Sequence, residues 1–370
     1  QLWQMAVERA LPRMIFVNKM DRENVVFEAV MADLVDAFGR GCVALQVPTG
    51  SEAEFSGLVN LLDEGSDRPG GLEGAVEDAR EKLVEAIAEV DDDLTMKYLE
   101  GEALSDDELT RGLKQGVASG AIIPVLFGAA TSGIGATELM EAIIDLMPSP
   151  LEIRQVTASE PSGDGEVSVS AASDGPLAAL VFKTSADPFV GKLSYIRVYS
   201  GTLKSDSQVW NANRSESERV GQVYVVTGKN QEPVDELAAG DIGTVAKLSS
   251  VLTGDTLGER ANPLILPGFD FPAPVYHMAA YPKSKADLDK ITNALGRITE
   301  EDPSLTLTRE PDTLEMLLGG LGDVHVEIAV EKMKRKFGVE IELHIPKVPY
   351  METITTTATA EYRHKKQSGG

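Results

Sequence analysis

The chain has 370 residues, a net charge of −25, 42% hydrophobic residues and 25% charged residues, which is enough for two to four domains at ~100–200 residues each. The negative charge excludes a protein that coats nucleic acid through bulk charge, and no apolar run approaches the ~18 residues of a membrane span. Cys42 is the only cysteine, so an intrachain disulfide is excluded, and four histidines without ligand spacing argue against a structural zinc site.

Leu2, Met5, Ala6 and Ala10 share one face of an opening helix. The chain starts inside an element and stops in a glycine-ended stretch, 367–370, so it is expected to be an internal piece of a longer protein. After Pro12, Arg13-Met-Ile-Phe-Val17 is a continuous apolar run that suits a strand buried on both faces of a parallel sheet. A helix is expected over 23–38, with Val26, Val30 and Leu34 on one face and Gly39 as its stop. Residues 122–127 form a second buried strand. A helix over 137–147 follows, with Leu139, Ile143 and Leu146 inward and Pro148-Ser149-Pro150 as its end. This is the spacing of a doubly wound α/β domain. Between these units, residues 46–120 hold 19 acidic and 6 basic residues, a net of −13. They read as an insertion with one helix at 75–100 and another at 106–116.

Residues 155–175 are rich in Ser, Gly and Asp and read as a linker or long loop. Short β-rich runs at 177–184, 193–200, 206–212, 219–226 and 242–249 predict a barrel or sandwich. From Ala273 the order is strand 273–281, helix 285–300, strands 304–309 and 313–319, helix 323–337 and strand 339–345. Val326, Val330, Met333 and Phe337 line the second helix and Gly338 caps it. This β-α-β-β-α-β order is the ferredoxin-like split βαβ.

Asn18-Lys19-Met20-Asp21 directly follows the first buried strand, at the carboxyl edge of the sheet where open α/β folds bind ligands. A carboxylate there can accept two hydrogen bonds from guanine N1–H and the 2-amino group. Adenine offers no such donor pair. The Lys19 stem can lie along the base, and Asn18 can tie neighbouring loops together. Gly128-Ala129-Ala130 follows the second buried strand in the same way and would let backbone N–H groups approach a base oxygen. A strand-end turn with a solvated aspartate is the plainer reading of the tetrapeptide. No Gly-x-x-x-x-Gly-Lys-Ser/Thr loop occurs, and no Mg²⁺-binding Ser/Thr or water-positioning Asp-x-x-Gly segment is identified. No catalytic or metal-binding residue is therefore assigned. Lys332, Lys334, Arg335 and Lys336 suit either phosphates or the negative end of a helix dipole. The same alternatives hold for Arg363-His364-Lys365-Lys366, and His277 and His325 read as structural.

These blocks together resemble bacterial elongation factor G, a family of translational GTPases, including its elongation factor G-like paralogues. The resemblance is carried by 12–22 (PRMIFVNKMDR), Pro48-Thr49-Gly50, 54–59 (EFSGLV), 97–102 (KYLEGE), 177–201, 253–257 (TGDTL), 300–303 (EEDP), 319–327 (GGLGDVHVE) and 364–370 (HKKQSGG). It implies a multidomain α/β + β + α+β chain: a partial P-loop-NTPase-type GTP-binding domain at 1–150 with a G′ insertion at about 46–120, a linker at 151–176, a translation-factor β-barrel at 177–268, a ferredoxin-like domain III at 270–347, and the start of domain IV at 348–370. Asn18, Lys19, Asp21, Gly128, Ala129 and Ala130 match the family's guanine-binding positions, with Ala129 where the family usually has serine. The implied activity is ribosome-stimulated GTP hydrolysis driving translocation of tRNA and mRNA, with GTP/GDP and Mg²⁺ bound by the full-length protein and none bound tightly by this piece. The ribosome is the implied partner, its stalk proteins docking on the acidic insertion, and a cytoplasmic monomer without membrane contact is expected. A paralogue acting in ribosome recycling or protection, or a non-catalytic ribosome-binding module, are the competing readings.

Overall fold

The computed structural model describes all residues except 64–69, 153–154, 162, 164, 188–190 and 366–370. The basic end at Lys366, the glycine-ended stretch 367–370 and the 188–190 part of the 177–201 block lie outside the described residues. The chain divides into two compact units, 1–154 and 155–370.

In the first unit, α1 (Leu2–Glu8) precedes β1 (Ile15–Val17), α2 (Phe27–Phe38), β2 (Cys42–Ala44), the hairpin β3 (Gln46–Thr49) and β4 (Gly57–Asn60), α3 (Glu73–Ala88), α4 (Asp92–Leu99), α5 (Asp106–Ser119), β5 (Ile123–Phe127) and α6 (Ala136–Leu146). A parallel sheet has the order β1-β5-β2, with Ile15 opposite Val125 and Cys42 opposite Ile123. β5 is the expected buried strand: all five residues are inaccessible. β1 departs from expectation, being half-buried along its length. It is an edge strand paired on one side only, and no second neighbour covers its free side among the described residues.

Three helix expectations need correction. The helix at 75–100 is two helices, because Asp91 leaves helical geometry and its carboxylate accepts the N–H groups of Asp93 and Leu94, starting α4 anew. Val26 is the N-cap of α2 and is 53% exposed rather than part of an inward face. On α6 the inward residues are Ala142 and Leu146, with Leu139 half-buried; Ile143 is 48% exposed because it sits on the flank of that row. The helix expected at 106–116 is α5. It opens with a capping box formed by Ser105 and Glu108 and closes at left-handed Gly120. Leu109, Leu113 and Val117 on α5 pack with Leu83 and Ile87 of α3 and with β2 and β5 into one core. The acidic insertion is therefore built onto the sheet domain's own core. Leu45 ties the hairpin to β5 by donating to Val125 O at 3.0 Å.

In the second unit, residues 155–175 are not a plain loop. They carry a hairpin, β6 (Val156–Ser159) with β7 (Glu166–Val169), whose Ala158 and Val169 pack with Ala178, Leu180, Leu264 and Leu266. The barrel strands are β8 (Ala178–Asp187), β9 (Gly191–Ser200), β10 (Thr202–Lys204), β11 (Gln208–Asn211), β12 (Glu216–Arg219), β13 (Val223–Thr227), β14 (Asn230–Val234), β15 (Glu236–Ala238), β16 (Ile242–Ala246) and β17 (Thr256–Gly258). Eight form an antiparallel barrel-like sheet in the order β12-β11-β17-β8-β9-β16-β13-β14, and β10 pairs with β15. Its core is separate from the others and is lined by Val181, Ile196, Val198, Leu237 and Val245.

The last domain is the expected split βαβ: β18 (Tyr276–Pro282), α7 (Lys285–Glu301), β19 (Thr306–Arg309), β20 (Met316–Gly320), α8 (Asp323–Phe337) and β21 (Ile341–His344), in sheet order β19-β20-β18-β21. Val326, Ala329 and Met333 are buried on α8, Val330 and Phe337 flank them, and Gly338 closes the helix at φ 65°. No helix among the described residues is long and apolar enough to cross a membrane.

Candidate nucleotide-recognition site

Two loops leave the carboxyl ends of adjacent parallel strands, β1 and β5, and are stitched together. Gly128 N–H donates to Val17 O at 3.0 Å, and Met20 N–H returns the bond to Gly128 O at 3.1 Å. The Asn18 side chain closes the pair. Its Oδ1 accepts the N–H of Lys19 at 2.8 Å and that of Ala130, on the other loop, at 2.9 Å. Lys19 has φ 67°, a left-handed conformation that is costly for a residue with a Cβ. The bond from its own N–H to Asn18 helps hold it there. Asn18 and Met20 thus hold the 18–21 loop against 128–130.

The second loop is tight. Ala129 is fully buried and its N–H donates to Ile134 O at 3.0 Å. Ser132 bonds back to Ala129 O through both its N–H and its hydroxyl. A Cβ on Gly128 would lie 2.4 Å from Ile134 O and 2.6 Å from the Phe16 ring, so only glycine fits. The expectation that Gly128, Ala129 and Ala130 offer N–H groups to a base is corrected here: all three are already committed, to Val17, Ile134 and Asn18. The next N–H, on Thr131, has no partner among the described residues.

Asp21 is half-buried and its carboxylate accepts no hydrogen bond among the described residues. A free acceptor pair beside two pinned loops fits the two donors on the Watson–Crick edge of guanine. No group of three or more His, Cys, Asp or Glu able to hold a cation occurs among the described residues.

Two features here were not anticipated from the sequence. Met20 is buried and ties the first loop through its backbone, and its apolar side chain between Lys19 and Asp21 was the available signal. Asn24 N–H donates to Glu52 at 2.8 Å, linking the loop to the turn that follows β3; nothing in the sequence marked that pairing.

The other candidates lie elsewhere. Lys334 pairs with Glu340 at 3.1 Å and Lys336 with Glu301 at 2.5 Å, so these two favour a structural role over phosphate contact. His325 accepts from Leu321 N–H through Nδ1 and faces Asp302 through Nε2, a structural placement as expected. His277 is exposed on β18. Arg363, His364 and Lys365 are exposed and outside regular structure.

Comparison with known families assigns the parts. The elongation factor Tu GTP-binding domain matches residues 1–149, elongation factor G domain 2 matches 176–260, and elongation factor G domain III matches 271–345. A crystal structure of a protein from Thermus thermophilus is similar over 94% of this chain, with 31% identity and a TM-score of 0.77. The chain spans 51% of that protein's length. A GTP-binding domain followed by a translation-factor barrel and a split βαβ defines the class, the translational GTPases. Within that class, the chain belongs to the elongation factor G-like proteins.

Proposed function

We propose that this chain is the guanine-recognising and domain II–III portion of an elongation factor G-type translocase, which uses GTP hydrolysis to move tRNA and mRNA on the ribosome. The observation carrying the reading is the Asn18 bridge from Oδ1 to Ala130 N–H at 2.9 Å, which ties the loop bearing Asp21, whose carboxylate accepts no hydrogen bond among the described residues, to the loop 128–130. Guanine N1–H and its 2-amino group donate to Asp21, and the Lys19 stem covers the base. The phosphate loop and the Mg²⁺ ligands belong to the remaining half of the protein, consistent with the 51% coverage of the Thermus chain. This chain alone is inactive as a GTPase, and the protein works as a cytoplasmic monomer.

The acidic insertion serves as a docking face for basic stalk proteins of the ribosome. Exposed Glu81 and Glu85 on α3 and Glu89 at its C-cap support this, because such a field steers basic partners and repels RNA. The test is GTP turnover with and without ribosomes, by the full-length protein and by this chain. Ribosome-stimulated turnover by the former alone is expected, and turnover by this chain overturns the reading. A translocation assay separates the translocase from a recycling or protection paralogue.

A further inference from the structure

α7 ends on Glu300-Glu301-Asp302 with no basic residue in its last turn. Three carboxylates stand at the end of the helix where the dipole is already negative, an arrangement that needs compensation from outside the helix. Asp302 finds it locally, from Ser304 and His325. Glu300 finds it on the barrel hairpin β8–β9, and Glu301 on α8 with a further backbone donor from that hairpin. Glu301 Oε2 accepts the N–H of Ala186 at 3.0 Å and the ammonium of Lys336, from α8, at 2.5 Å. Lys336 Nζ also reaches Ala186 O at 3.4 Å. Glu300 lies 3.9 Å from Lys192 Nζ.

Ala186 and Lys192 are cross-strand partners, so the hairpin is gripped on both strands at one level. The side chains of Glu301, Lys336 and Lys192 are 16%, 23% and 16% exposed, which shields the charges from solvent. The buried apolar clusters of the barrel and of the split βαβ share no residue. The polar contacts between these two domains are those of the Glu301–Lys336 pair to the Ala186 peptide and of Glu300 to Lys192, and no buried apolar cluster spans both domains among the described residues.

We propose that Glu301, Lys336 and the Ala186 peptide form a clasp that fixes the orientation of the split βαβ on the barrel, with Lys192–Glu300 as its weaker second arm. When the clasp opens, the split βαβ swings on residues 267–275, which contain no helix or strand and include Pro267, Pro272 and Pro274. The inference is independent of nucleotide binding and stands or falls without the functional reading above.

The test is a spin-label distance across the two domains in the full chain, with labels on Lys229→Cys and Asp312→Cys, both at exposed turn positions. A single narrow distance peak is expected in the parent. In Glu301→Ala and in Lys336→Ala that peak is lost to a broad or two-peaked distribution, while thermal unfolding shows both domains still folded. Should Glu301→Ala not fold, Glu301→Gln, which keeps the volume and an acceptor for Ala186 but removes the charge, is read by the same criterion. A broad distribution in the parent, or an unchanged narrow peak in the clasp variants, overturns the proposal.

Discussion

Asn18→Ala tests the link between the two loops most directly. The change removes an acceptor that serves two backbone donors, Lys19 N–H at 2.8 Å and Ala130 N–H at 2.9 Å. Each such bond contributes about 0.5–1.5 kcal/mol net, so the pair contributes roughly 1–3 kcal/mol. The site is exposed, and water can replace one partner, which places the expected loss toward the lower end. Lys19 also keeps its left-handed φ of 67° without the bond that held it, which offsets that relief. For a unit of this size, a loss of 1 kcal/mol lowers the midpoint by about 2–4 °C. The assay is thermal and urea unfolding of the chain, with Asn18→Asp as control. Aspartate keeps an oxygen in the same place and should retain most of the stability. Equal stability of Asn18→Ala and the parent, or equal losses in Asn18→Ala and Asn18→Asp, refutes the bridge as the element that holds the loops.

In the full-length protein, Asp21→Asn should weaken GTP and favour XTP, because an amide complements the oxygen that xanthine carries at position 2; unchanged GTP affinity removes Asp21 from the pocket. Acid should destabilise the chain. Hydrogen bonds from Lys97 and Ser105 hold Glu108 down at about 2. Lys334 and Lys283 lower Glu340, and Tyr281 with the Lys347 N–H lowers Glu315. Burial pushes Glu218 and Asp302 up, but the Ser249 and Ser250 donors on one, and Ser304 with His325 on the other, bring both below the usual carboxylate range. Groups depressed on folding stabilise above their unfolded values near ~4, and that contribution is lost as pH falls toward ~2; urea midpoints measured between pH 7 and 3 should decline, and a flat profile contradicts the assignment. Neutralising Glu81, Glu85 and Glu89 should slow ribosome association of the full-length protein, most at low salt, as stopped-flow mixing would read. Asp91 is left out of that variant because it caps α4. Amide hydrogens of β1 should exchange faster than those of β9 and β18, since β1 is a half-buried edge strand; equal protection contradicts this.

The split βαβ was legible almost residue by residue, because α7 and α8 repeat apolar residues at helical spacing and Gly338 marks a stop. The barrel was legible as a class but not in detail. β10, β12, β15 and β17 are three or four residues long, too short to show alternation, and β14 has Pro233 within it. The hairpin at 156–169 was missed because its few small apolar residues, such as Val156 and Ala158, sit among serines, glycines and acids. At the site, the positions of Asn18, Lys19, Asp21 and 128–130 followed from the strands that end just before them. What stayed hidden was tertiary: the N–H of Ala130 is taken by Asn18 and that of Ala129 by Ile134, pairings that no local pattern records.

The position of β5 in the sheet governs when the first unit can form. β5 is the middle strand, yet it is the last of the three to be synthesised. Its partners are 110 positions earlier in one pairing, Ile15 with Val125, and 81 earlier in the other, Cys42 with Ile123. β1 and β2 do not touch each other in the sheet, so neither can wait in a paired state for the third. The whole acidic insertion must leave the ribosome before a single parallel pairing closes. Contacts at such separations slow folding, because chain entropy is spent before any bond rewards it. Until then the hairpin β3–β4, helices α3 to α5 and the α2–β2 pair have the local contacts with which this unit can begin to organise. The insertion is thus the segment around which the nucleotide-recognition loops are later brought together.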